Sequence, residues 1–299
     1  MSYALGIDIG ATKIAYALVD RNGSIHAEHR LPTRPEDGPD AVLDRIAQGI
    51  QTVLSTTPDP LDGIGIGCPG IIDLQTGVVQ LAVNLNWHDV PLVDGIKARL
   101  PQPLPVVLDN DVRVWAKAEM VFGTATDANS FIYIALGTGL GATAIINGQP
   151  LMGSTGSAME LGHIIVQDQP RRRAEEFIAG LGMMQLSADL VDQFPQSRFA
   201  GQHDVTTHLL LSHPNDPLTR AILDIMTRAF GQSLAWACTV LNPELIIVGG
   251  AFGQAIMPHI QPDLLRYIRD HTLPQVHSSL QIRLATITNG ALGAACLLW

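Results

Sequence analysis

The chain has 299 residues, 46% of them hydrophobic and 15% charged, against about 25% charged in an ordinary globular domain; this points to two domains with sizeable cores and excludes a disordered or coiled-coil protein. Lys and Arg number 18 against 28 Asp and Glu, a net charge of −10, and the basic residues cluster only at Arg171-Arg172-Arg173, so the footprint of duplex-DNA binding is missing and nucleic acid is not an expected partner. Cys68, Cys238 and Cys296 form no CxxC pair, no apolar run reaches a membrane span, and no basic leader precedes Asp8; a cytoplasmic chain with no disulfide framework and no membrane partner is expected.

In chain order, residues 3–9 and 13–19 read as two strands joined by Gly10-Ala11-Thr12, and Asn22-Gly23 supplies the next hairpin turn. Apolar positions from Val42 to Leu54 fall at helical spacing, residues 61–68 read as a buried strand, and a strand at 105–108 runs into a helix that continues through Val121. The theme then restarts: strands 130–136 and 142–147 flank a glycine-rich turn, repeating the opening hairpin. Helices are expected at 174–193, about 217–241 (halted by Asn242-Pro243), 259–270 and 290–298, with strands at 245–248 and 281–287. The duplication implies two α/β domains: 1–115, with the C-terminal helix 288–299 packing back on it, and 116–287.

The turns carry the candidate chemistry. In Asp8-Ile-Gly-Ala-Thr-Lys13, Gly10 and Ala11 let the backbone approach a phosphate, Thr12 and Lys13 can donate to its oxygens, and Asp8 can hold Mg²⁺ directly or through water; an ordinary hairpin with a glycine is the plain alternative. Gly137, Thr138 and Gly139 form a second such turn, and Gly249-Gly250, between a strand and a helix, offers a place for an adenosine or simply a connection needing φ > 0. None of the three matches a P-loop. Asp111, just past a strand, can accept a proton from an attacking hydroxyl. Asn110-Asp111 also fits a helix cap, the role assigned to Asp109. Glu160, His163 and Glu175 suit the hydroxyls of a sugar.

The order DIGATK, Cys68-Pro69-Gly70, Asn84-Leu85-Asn86-Trp87, Asn110-Asp111, LGTGLG, ELGH, Glu175, VGGAFG and Gly290-Ala-Leu-Gly-Ala-Ala295 resembles the ROK family of bacterial sugar kinases and repressors, from residue 5 to 295. The resemblance implies the actin-like ATPase fold, two RNase H-like α/β domains closing over a cleft, and a homodimer. It also implies ATP phosphate contacts at Gly10, Thr12, Lys13, Gly137, Thr138 and Gly139, an adenosine contact at Gly249 and Gly250, Asp111 as catalytic base, and sugar contacts at Asn84, Asn110, Glu160, His163 and Glu175. The family's zinc-binding cysteine segment after the ELGH histidine is absent, since Gln167-Asp-Gln-Pro-Arg-Arg-Arg-Ala-Glu175 has no Cys. No zinc is therefore expected, and His163 must take its orientation from another partner. Met159 replaces a small residue beside Glu160 and Ala11 a common glycine, which implies a narrower sugar pocket.

The resulting expectation is an ATP- and Mg²⁺-dependent kinase acting on the 6-hydroxyl of a hexose, with glucose foremost. N-acetylated hexosamine, fructose or allose are alternative acceptors, and polyphosphate is an alternative donor because cysteine-free relatives use it. A sugar-responsive repressor or a catalytically dead sensor is the reading from a different class. The first glycine turn begins at residue 6, so no helix-turn-helix domain is expected ahead of it.

Overall fold

The computed structural model describes residues 2–55, 61–167 and 169–299, in two compact units. The first comprises Met1–Asp127, Met152–Ala158 and Thr286–Trp299. Its strands β1 (Tyr3–Ile9), β2 (Lys13–Asp20) and β3 (Ile25–Pro32) form an antiparallel meander. The second turn of the meander is set by Asp20, whose carboxylate accepts from the N–H groups of Asn22 and Ser24 at 2.9 and 3.0 Å, and by Gly23 at φ 82°. Helix α1 (Pro39–Leu54) starts on a proline and buries Val42, Leu43, Ile46, Ile50 and Val53 against the sheet. After β4 (Leu61–Cys68) comes a small antiparallel sheet, β5 (Ile71–Asp73), β6 (Val78–Ala82) and β7 (Trp87–Val90), which the sequence pattern does not announce. Then follow α2 (Leu92–Lys97), β8 (Val106–Asn110) and α3 (Asp111–Phe122). The main sheet runs β3-β2-β1-β4-β8, with β1, β4 and β8 parallel.

The second unit comprises Ala128–Leu151 and Met159–Ala285. It contains β9 (Phe131–Leu136), β10 (Leu140–Ile146), β11 (Gln149–Pro150), and a two-stranded ribbon of β12 (Ile165–Gln167) and β13 (Arg172–Arg173). Next come α4 (Glu175–Ile178), α5 (Gly180–Leu190), α6 (Thr207–Leu211) and α7 (Pro217–Leu241). The unit closes with β14 (Leu245–Gly249), α8 (Ala251–His271), α9 (Pro274–His277) and β15 (Gln281–Leu284). Its sheet runs β11-β10-β9-β14-β15, the same order and the same mixture of antiparallel and parallel pairs as the first. This RNase H-like topology occurring twice is the actin-like ATPase fold.

Three elements differ from the sequence expectation, each for a local reason. The helix expected over 174–193 is broken at Ala179, which is extended at ψ 167°, and Gly180 N–H donates to Gly137 O of the glycine turn at 3.0 Å. The helix expected from 259 starts at Ala251, taking Pro258 and Pro262 into its interior. An interior proline ordinarily costs about 3 kcal/mol, offset here by the buried face Phe252, Ile256, Met257, Ile260, Leu264 and Ile268. The strand expected over 281–287 ends at Leu284.

A division at 115/116 would cut α3, yet α3 stays whole in the first unit and the chain leaves that unit after Asp127. Fully buried Glu119 explains the cohesion: its carboxylate accepts from the N–H groups of Thr124, Thr286 and Ile287 at 2.6, 2.8 and 2.7 Å. The C-terminal helix α10 (Gly290–Ala295) packs on β1, β4 and α3. The contact is backbone to backbone, since a Cβ at Gly6 would lie 1.7 Å from Ala291 O, at Gly65 1.8 Å from Ala294 O, and at Gly293 2.2 Å from Val114 O. Gly6→Ala must therefore lift α10 off β1. The expected loss is about 3 kcal/mol, read as a lower urea midpoint at unchanged m-value; an unmoved midpoint would mean that α10 does not press on the strand.

Candidate active site

In the first unit the candidate residues gather where β1, β4 and β8 end. Asp8 is the penultimate residue of β1. The following turn is tight: Gly10 N–H donates to Lys13 O at 2.9 Å, and Thr33 Oγ1 donates to Gly10 O at 2.6 Å, leaving Ala11, Thr12 and Lys13 exposed. Asn110 is the N-cap of α3, its Oδ1 accepting from Val112 N–H at 2.9 Å while its Nδ2 donates to Gly70 O at 3.2 Å. Capping thus falls to Asn110 and not to Asp109, whose carboxylate is paired with Arg113 Nε at 2.5 Å. Arg113 in turn donates to Gly156 O at 3.0 Å. Asp111, first residue of α3, accepts from Val112 N–H at 2.9 Å. Asn84 sits exposed on the 3₁₀ turn Val83–Leu85.

These groups share one electrostatic environment. Burial, then the charge of Asp111, push the Asp8 carboxyl up from 3.8 to about 7, with Lys13 pulling the other way. The thiol of fully buried Cys68, at the end of β4, is pushed well above its usual range by burial and by the charges of Asp111 and Asp8. The Asp8 carboxyl lies over the start of α10, where a Cβ at Gly290 would meet Asp8 Oδ2 at 2.3 Å and Trp115 at 2.9 Å. Two carboxylates crowded at strand ends beside a lysine are a donor set that a divalent cation would relieve.

In the second unit, the turn Gly137-Thr138-Gly139 is closed by Gly137 N–H donating to Gly139 O at 3.0 Å. Glu175 is bound to this turn: its Oε2 accepts from Leu140 N–H at 2.9 Å and would lie 2.7 Å from a Cβ at Gly139. One oxygen of this expected sugar contact is thus engaged with the glycine turn. Glu160 and His163 are exposed at the two ends of the 3₁₀ turn Leu161–His163. Met159, just before them, holds φ 72°, a left-handed conformation that costs a non-glycine residue about 1–2 kcal/mol. His163 Nδ1 lies 3.2 Å from Arg173 Nη1. Among the described residues no cluster of three or more His, Cys, Asp or Glu could hold a metal ion.

A cavity of about 660 Å³ opens beside the second glycine turn. Gly137 and Thr138 line it, with Leu181, Met184, His208 and Phe252 among the others. Gly249 and Gly250 do not. Gly250 is at φ 81° and a Cβ there would lie 2.2 Å from Leu136 O, so its absence of side chain lets α8 start against β9 and brings Ala251 and Phe252 to the cavity wall. The α5 and α6 residues of this wall have no motif; the sequence signal was the apolar pair Leu181 and Met184, which α5 leaves exposed.

The raised Asp8 acidity has a sign that can be checked. Below about pH 4 Asp8 is protonated in both folded and unfolded chains; between about pH 4 and 7 the unfolded chain has released this proton while the folded chain keeps it, so stability falls across that interval and levels off above it. Asp8→Asn cannot ionise. Its stability relative to the native chain, measured without nucleotide or metal, should rise by about 3 kcal/mol between pH 4 and 8; a pH-independent difference would show that Asp8 ionises normally.

Residues 4–299 match the ROK family. A glucokinase of Halalkalibacterium halodurans is 30% identical over 304 residues, spanning 96% of this chain and 91% of its own. A xylose repressor of Caldicellulosiruptor bescii is 26% identical over 313 residues, spanning 98% of this chain and 76% of its own. The crystal structure of a ROK family glucokinase from Streptomyces griseus in complex with glucose and AMPPNP aligns with a TM-score of 0.78 at 26% identity, covering 99% of this chain and 98% of that one. With the doubled sheet order and the glycine turns already in place, the family match over nearly the whole sequence leaves one assignment: the chain belongs to the ROK family.

Proposed function

We propose that the protein is an ATP-dependent hexose kinase that transfers the γ-phosphate to the 6-hydroxyl of a hexose, glucose foremost. The observation that carries this reading is the pair Asp8, near the end of β1, and Asp111, just past the end of β8, with β4 between the two strands and the Asp111 charge bearing on Asp8 beside the Lys13 turn. The glucokinase relatives, one of them solved with glucose and AMPPNP, support the same reading.

Asp111 takes the proton of the 6-hydroxyl as its oxygen forms the bond to the γ-phosphorus and the bond to the bridging oxygen breaks, releasing ADP. Lys13 supplies positive charge to the phosphates, Thr12 and the amide of Ala11 supply donors, and Gly10, whose own N–H closes the turn, keeps the approach open; in the second glycine turn Thr138 and the amide of Gly139 are the corresponding donors, with Gly137 closing that turn. Asp8 would hold Mg²⁺, which supplies neutralisation of phosphate charge. Asn84, Asn110, Glu160, His163 and Glu175 orient the sugar; the cap geometry of Asn110 and the Leu140 bond of Glu175 fix those two side chains in advance. The protein is proposed to act in the cytoplasm, as a homodimer and without zinc.

The donor follows from what the second unit offers. The cavity beside Gly137 and Thr138 has an apolar wall of Leu181, Met184 and Phe252, suited to a nucleobase. A polyphosphate chain would need free cations, and Arg172 is already paired with Glu176 at 3.5 Å and stacked over Phe177 at 4.3 Å, while Arg173 is bonded to His163. The xylose repressor among the relatives supports a second reading, a sugar sensor without turnover.

Coupled assays of a hexose panel against ATP and polyphosphate separate these readings. Turnover of glucose with ATP is expected, with kcat/KM for ATP at least about tenfold above that for polyphosphate, equivalent to about 1.4 kcal/mol. No turnover with any pair would favour the sensor. Asp111→Asn should lower kcat at least about 100-fold while glucose still binds in calorimetry. A near-normal kcat would remove Asp111 from the reaction.

A further inference from the structure

The run Arg171-Arg172-Arg173 is built into the second unit at three points. Strand β13 pairs with β12, Arg173 standing opposite Ile165. The Arg173 N–H donates to Glu176 Oε1 at 2.9 Å, and Ala174 N–H donates to Ile164 O at 2.8 Å, directly after His163. The next residue, Glu175, is tied to Leu140. This ribbon brings Arg173, ten residues on in sequence, against the ring of His163.

The chemistry of that contact is one-directional. A guanidinium has five N–H donors and no acceptor, so at 3.2 Å Arg173 Nη1 donates and His163 Nδ1 accepts. The imidazole proton is thereby placed on Nε2. His163 is exposed at the end of a three-residue turn, where packing does little to hold a ring, and a free neutral imidazole would populate both tautomers and several rotamers. We propose that Arg173 is a positioning residue: it fixes the tautomer and direction of His163 so that the ring presents an Nε2–H donor to a hydroxyl oxygen of the hexose. The proposal rests on the reading of His163 as a sugar contact.

The test separates the two. In long-range ¹H–¹⁵N spectra at about pH 8.5, where imidazole is ordinarily neutral, the His163 resonances, identified by their loss in His163→Ala, should report Nε2–H alone in the native protein and a mixture in Arg173→Ala. Arg173→Ala should raise KM for glucose at least about tenfold, with kcat within about threefold and KM for ATP unmoved; Arg173→Lys, which still donates, should recover most of the loss. The double variant Arg173→Ala/His163→Ala should be no worse than His163→Ala. A merely structural arginine would lower Tm without moving the tautomer or splitting KM from kcat. An unchanged tautomer in Arg173→Ala, with His163→Ala still raising KM, overturns the role of Arg173 alone. An unchanged KM in His163→Ala overturns the sugar contact, and with it what the arginine is positioned for.

Discussion

The first unit depends on a helix that touches its sheet through backbone atoms. Where α10 crosses β1 and β4 and meets α3, no room remains for even a methyl group, and glycines at 6 and 65 for the strands and at 293 for α3 are what the approach requires. The same closeness shapes the site. Asp8 rests over Gly290 and near Trp115, so packing that stabilises the fold also strips water from a carboxylate. Burial of Asp8 is the largest cause of its weakened acidity, ahead of Asp111. The weakened acidity of Asp8 is thus a by-product of how a terminal helix is seated, and the small residues of Gly290-Ala-Leu-Gly-Ala-Ala295 shape the surroundings of this carboxyl as well as the core.

The second unit shows a related economy. Glu175 follows the arginine ribbon, and its carboxylate accepts from Leu140 N–H at the far side of the glycine turn. The residues proposed to hold the acceptor sugar and those proposed to hold the donor phosphate are therefore joined by one hydrogen bond within a single unit. Loss of that carboxylate would disturb the shape of the turn along with the proposed sugar contact, whereas Glu175→Gln removes the charge and keeps an oxygen to accept from Leu140 N–H.

Much of this was legible in the sequence because it is local. Asp216 and Pro217 start α7, its Asp216 side chain accepting from Leu218 N–H at 3.0 Å, and Asn242 at φ 46° stops it where Asn242-Pro243 said it would. The duplicated strand, glycine turn and strand announced two sheets of one topology. What escaped depends on partners distant in sequence. The expected helix begins at 259, just past Pro258, because the apolar face that offsets this proline is visible only once β14 and β15 lie beneath it. The break at Ala179 answers a bond to Gly137, forty-odd residues away. The setting of the arginine run was not legible, since neither Glu176 nor His163 can be paired with it by spacing alone. The sugar role of Asn84 came from family resemblance alone, because nothing in its neighbours marks it, whereas the glycine turns and Glu160 were first read from residue type and spacing.

The seating of α10 also sets an order of events at the ribosome. Residues 286–299 belong to the first unit, but 158 residues separate them from Asp127. At about 5–20 residues per second, roughly 8 to 30 seconds pass between completion of the first sheet and arrival of the helix that covers Ala4, Ala15, Ala17 and Val19. During that interval the nascent first unit carries an open apolar face while the second unit is being made and can fold behind it. A ribosome that stalls near residue 285 would release a chain with one finished unit and one unfinished, the form that chaperones and proteases are best equipped to find.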